Sequence, residues 1–100
     1  MAYEAGTLDA TLAAAAGDDH ALFVELRSAF VGSLARQVDL LRRARCDGNW
    51  QIAALRIRGI ATSFNAEPLI LLADEAVETV PGEPSIIRRL QGFLDEFAAA

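Results

Sequence analysis

Apolar positions recur along most of the chain at the three-and-four spacing of an α-helix. Nowhere do they alternate residue by residue between turn signals, as a half-buried strand would require. Breakers fall between the periodic stretches: Gly17, then Asp47-Gly48-Asn49, then Asn65 with Pro68, then Pro81-Gly82-Glu83-Pro84. They delimit a short first helix from Thr7 to Ala16 and a long second one, capped by Asp18-Asp19, that stops near Asp47-Gly48. A third helix is expected from about Asn49 to Phe64, a fourth from about Pro68 to Thr79 and a fifth from about Pro84 to Ala98. The class is therefore all-α. Long amphipathic helices with short connections pack as antiparallel neighbours, so the expected architecture is an up-and-down four-helix bundle over residues 18–98. The short extra N-terminal helix, within residues 1–17, is expected to lie across one end of this single domain of residues 1–100.

The second helix carries Phe23, Leu26, Phe30, Leu34, Val38, Leu41 and Ala44 on one stripe, with Glu25, Ser28, Arg36, Asp39 and Arg43 opposite. Arg42, Arg43 and Arg45 gather at its end, where cations suit the negative pole of the helix dipole. The fifth helix presents Ile86, Ile87, Leu90, Phe93, Leu94 and Phe97 as its apolar face.

The third helix departs from this regularity. Projected at about 100° per residue, Trp50, Ala53, Ala54, Ile57, Ile60, Ala61 and Phe64 form one arc, which is the side to be buried. Opposite lie Gln51, Leu55, Arg58, Gly59 and Thr62, with Ile52, Arg56 and Ser63 toward the edge. A large aliphatic side chain, Leu55, thus sits at the centre of a polar face. It either packs against the fourth or the first helix or faces a partner, and the second reading is preferred. Gly59 is a second anomaly, because a glycine inside a helix costs about 1 kcal/mol relative to alanine unless something approaches the backbone there.

Composition narrows the function. The chain has 100 residues, 53% of them apolar, and a formal net charge of −5. This length excludes a multidomain enzyme and leaves only a modest core, which favours a binding or signalling module over a deep cofactor cleft. The nine basic residues are all arginine and are outnumbered by fourteen acids, so nucleic acid or an anionic membrane would meet an unfavourable field. No apolar run approaches the roughly 18 residues of a membrane span. The single cysteine, Cys46, forms no internal disulfide, and the start of the chain lacks a basic signal-like opening, so a cytoplasmic location is expected.

The run Leu55-Arg56-Ile57-Arg58-Gly59-Ile60-Ala61-Thr62-Ser63-Phe64-Asn65-Ala66 resembles the active-site helix of histidine-containing phosphotransfer (HPt) domains. Their motif reads H-x-[LI]-K-G-x-[SA], followed by an apolar-Gly turn and a further helix. Ile57 matches the apolar position, Arg58 the basic one and Gly59 the glycine, while Phe64-Asn65-Ala66 resembles the turn and Leu69 to Glu78 the next helix. The pattern from Phe30 to Ala44 resembles the family's second helix, so the similarity covers about Asp18 to Phe97. The resemblance implies a bundle that docks a response-regulator receiver domain or a sensor kinase in a two-component phosphorelay. In the family the histidine is the phosphoryl-carrying nucleophile, the basic residue offsets phosphoryl charge and the glycine leaves room for the receiver. Here Leu55 occupies the phosphohistidine position, and it has neither a lone pair nor a titratable proton. Asn65 replaces the turn glycine and is the next most tolerant residue of a left-handed helix end.

Other candidates carry little. His20, beside Asp18 and Asp19, reads as a solvated first-turn histidine, not as a substitute phosphoacceptor, and these three do not share a helix face as metal ligands would. Trp50 and the phenylalanines read as core, Cys46 as inert, and Asp74, Glu75 and Glu78 as a solvated face with no catalytic pair. No enzyme active site, cofactor or metal is expected. The candidate partner-binding residues are Gln51, Ile52, Leu55, Arg58, Gly59 and Thr62, on a protein that docks without carrying phosphate. The alternatives are a structural homo-oligomer, a homodimer in the simplest case, through Ile52 and Leu55, or a phosphotransfer protein using His20.

Overall fold

The computed structural model describes residues 2–99 and comprises five helices: α1 (Ala2–Ala16), α2 (His20–Arg43), α3 (Asp47–Ser63), α4 (Glu67–Glu78) and α5 (Pro84–Ala99). No strand occurs among the described residues, and the protein is all-α, as its periodicity predicts.

α1 begins earlier than expected, running through Gly6 to Ala2. One interior glycine weakens a helix by about 1 kcal/mol but does not end it when good helix formers flank it. Leu8, Leu12 and Ala16 repeat every fourth residue and are buried where α1 meets α2 and α5. Gly17 then adopts φ 66° and donates its N–H to Ala13 O at 3.0 Å, a left-handed helix end that glycine takes without a Cβ clash. The chain folds back at Gly17 so that α1 packs against α2 and α5. Asp9 and Arg27 pair at 3.0 Å across this contact. Arg27 also donates to the Phe97 carbonyl of α5, and its guanidinium carbon stands 4.3 Å from the Phe97 ring centroid, so one side chain joins three helices.

Asp19 caps α2, its Oδ1 accepting from the Leu22 N–H at 3.0 Å. Phe30, Leu34, Val38 and Leu41 are the buried residues of the helix, with Phe23 and Leu26 partly covered. α2 stops at Arg43, short of the expected Asp47-Gly48. Ala44 is buried and turns to φ −64°, ψ 131°, and Cys46 becomes the N-cap of α3. Asp47 and Gly48 therefore lie in the first turn of α3, where the Asp47 carboxylate favours the positive end of the dipole. Arg45 belongs to the link and not to the last turn of α2.

α3 meets both α2 and α4, and α5 closes against α4 and α2. Buried side chains from all five helices form one continuous cluster. At one end Phe30 makes edge contacts with Phe64 and Phe97, at 5.1 and 5.3 Å between ring centroids.

Candidate functional site: the outer face of α3

The face is set by what α3 buries. Trp50, Ala53, Ala54, Ile57 and Ala61 point into the core. Ile60 and Phe64, expected in the same arc, are only partly covered at its margin. Their burial turns the opposite residues outward. Leu55 is 51% exposed and Ile52 49%, beside Gly59. Leu55 thus stands out from the surface and is not packed under α1 or α4.

Both ends of the α3–α4 hairpin are tied down by hydrogen bonds. At the start of α3, buried Trp50 donates its indole N–H to Ala76 O at 2.6 Å, and Gln51 Nε2 donates to Val77 O at 3.1 Å. Val77 O is one of the last carbonyls of α4, which lack an onward partner in the helix, and Gln51 satisfies it; Ala76 O, already bonded by the Thr79 N–H and Oγ1, gains Trp50 as a further donor. At the far end Asn65 takes φ 54°, Asn65 N–H reaches Thr62 O at 3.2 Å and Ala66 N–H reaches Ala61 O at 2.9 Å. This paired arrangement is a Schellman helix end, and it places asparagine at the left-handed position anticipated for it.

The candidate residues separate into three groups by position. Ile52, Leu55 and Gly59 form the crest. A Cβ built on Gly59 would meet nothing within 4 Å, so no contact within the protein requires glycine there. Toward α4, Arg58 pairs through Nε with Asp74 Oδ1 at 2.6 Å, and Gln51 is engaged with the end of α4. Both members of the Arg58–Asp74 pair are about half exposed, so an anionic partner competes with a contact worth at most about 1 kcal/mol. Thr62 and Ser63 turn their hydroxyls back onto Arg58 O and Gly59 O at 2.8 and 2.9 Å, the usual helix back-bonding of such side chains.

Toward α2 lies a part of the face that the sequence reading did not include. Leu40 and Arg43 of α2 line a shallow depression with Asn49, Ile52 and Arg56 of α3. Leu40 is exposed and extends the apolar crest of Ile52 and Leu55 across the helix boundary. Arg56 makes no ion pair among the described residues, which leaves it a freer cation than Arg58. The signal for Leu40 was its position off the apolar stripe of α2, but only the α2–α3 register brings it to Ile52.

His20 opens α2 on the surface, its ring stacked toward Phe23 at 6.2 Å between centroids. No group of three or more potential metal ligands occurs among the described residues, and none of their helices is long and apolar enough to cross a membrane. Compared with known proteins, the chain gives no match to a family model, to a curated protein or to a solved structure.

Proposed function

We propose that the protein is an HPt-like module of two-component signalling that docks a receiver domain, or a sensor kinase, without accepting phosphate. In this reading α2 to α5 are the antiparallel four-helix bundle of the family, α1 is an added helix, and the protein works in the cytoplasm. The observation that carries it is Leu55, half exposed at the crest of α3 where the resemblance puts the phosphohistidine, beside a glycine that no internal contact requires. An apolar centre with a polar rim is the usual anatomy of a small protein interface. Ile52 and Leu40 widen that centre, and Arg56, Arg43 and Arg58 supply the cationic rim suited to a receiver's acidic phosphorylation pocket.

The test is an NMR titration of labelled protein with a panel of receiver domains, run beside a Leu55→His variant in a phosphotransfer assay. Shifts clustered from Gln51 to Ser63, with phosphate accepted only by the Leu55→His protein, are expected. Leu55→Glu or Gly59→Arg abolishes the shifts while helicity persists. No shifts with any receiver or kinase, and no transfer after histidine is restored, overturns the proposal. The exposed Leu40, Ile52 and Leu55 favour self-association as the second reading, and concentration-dependent sedimentation lost in Leu55→Glu would select it.

A further inference from the structure

A second surface lies on the other side of α4. α4 carries Glu67, Asp74, Glu75 and Glu78 and no basic residue, so all the charge it carries is negative. Between α4 and α5 runs an open groove of about 1250 Å³, bounded by Pro68 to Thr79 on one wall and Arg89 to Glu96 on the other. Its surface is mainly apolar: Leu71, Leu72, Gly92 and Phe93 contribute to it, and Leu71 is 61% exposed. Five carboxylates line it; Glu75 is paired with Arg89 and Asp74 with Arg58 of α3, so the lining keeps an excess of negative charge.

Gly92 is the unexpected element. It lies inside α5, where alanine would be better by about 1 kcal/mol, and a Cβ there would meet nothing within 4 Å. The groove therefore has a gap in its wall where another backbone can come close. Its α4 wall, at 1.5 Å rise per residue, is about 17 Å long, the length of roughly three helical turns.

We propose that this groove docks an amphipathic helix of a partner protein, with leucine-like residues on one face and arginine or lysine on its flanks. The apolar floor takes the anchors, and Glu78, Asp95 and the other rim carboxylates select the basic flanks. A basic helix is favoured over a second copy of the chain. Eight of the chain's nine arginines lie in the folded α2, α3 and α5 and Arg45 in the link between α2 and α3, so the chain offers no separate basic helix narrow enough to enter the groove alone.

The experiment uses the intact labelled protein and a synthetic peptide about three turns long, with leucines at i, i+3, i+4 and i+7 and arginines elsewhere. Shifts are expected at Leu71, Leu72, Glu78, Gly92 and Phe93, with affinity falling at least about tenfold from low to high salt. A scrambled peptide that scatters the leucines binds at least about tenfold more weakly. Gly92→Gln, whose Cβ meets nothing within 4 Å and whose side chain extends into the gap, weakens binding by a similar factor and leaves the melting temperature unchanged or higher. Shifts spread over all surface acids, equal binding of the scrambled peptide, or indifference to Gly92→Gln overturns the proposal. Concentration-dependent shifts at the same residues without peptide would assign the groove to a second copy and overturn it as well.

Discussion

Gly59 offers a perturbation whose sign is fixed by the structure. It lies well inside α3, with helical residues on both sides, and a Cβ added there meets no atom within 4 Å. Gly59→Ala therefore carries no steric cost and gains the helix-propensity difference, about 0.8–1 kcal/mol. For a domain of this size 1 kcal/mol moves the melting temperature by about 4–8 °C, so a rise of roughly 3–8 °C is expected. Gly17→Ala supplies the opposite sign in the same protein. At φ 66° the added Cβ strains the backbone, and a loss of about 1–2 kcal/mol lowers the melting temperature correspondingly. Thermal unfolding followed by far-ultraviolet circular dichroism, repeated by urea titration, measures both. A fall on Gly59→Ala would mean that the added Cβ meets a neighbour and that the crest of α3 is not open. Equal shifts in the two variants would mean that the interior Gly59 and the left-handed Gly17 are not conformationally distinct.

Two further outcomes test the packing. Leu55→Ala should change stability by no more than about 0.5 kcal/mol, as a surface substitution does, whereas Leu34→Ala, which empties a fully buried position, should cost about 2–5 kcal/mol; urea titrations of the two variants make the comparison. Trp50→Phe removes the donor to Ala76 O, which keeps its bond from Thr79 Oγ1 at 3.0 Å; a loss of about 1–2 kcal/mol is expected from the bond and the smaller ring together, with faster amide exchange at the end of α4.

The helices of this chain were legible because local pattern and tertiary burial agree. The stripe from Phe30 to Leu41 and the arc from Trp50 to Ala61 are buried as their spacing requires. The outward position of Leu55 follows from the same periodicity. Asn65 was legible too, since few residues other than glycine tolerate a left-handed helix end. What the sequence did not reveal depends on register or on competing local signals. Asp47-Gly48 resembles a helix stop, yet an acidic first turn is also a helix start, and the buried Ala44 decides the matter. The pairing of Arg58 with Asp74, and the meeting of Leu40 with Ile52, require the offsets between neighbouring helices, which no single-helix projection contains. The α4–α5 groove was hidden for the same reason: Asp74, Glu75 and Glu78 read as a solvated face, and only the packing of α5 against α4 brings Gly92, Asp95 and Glu96 to the same groove as Leu71.

The bonds that close both ends of the α3–α4 hairpin also govern how its outer face would meet a partner. With Trp50 and Gln51 anchored on the last carbonyls of α4, and the Schellman turn at Asn65 holding the opposite end, α3 has little freedom to tilt or unwind. Such a face is presented ready-made, so association carries little ordering entropy and the partner does the adjusting. Substitutions on the crest then act mainly through the rate at which the complex comes apart.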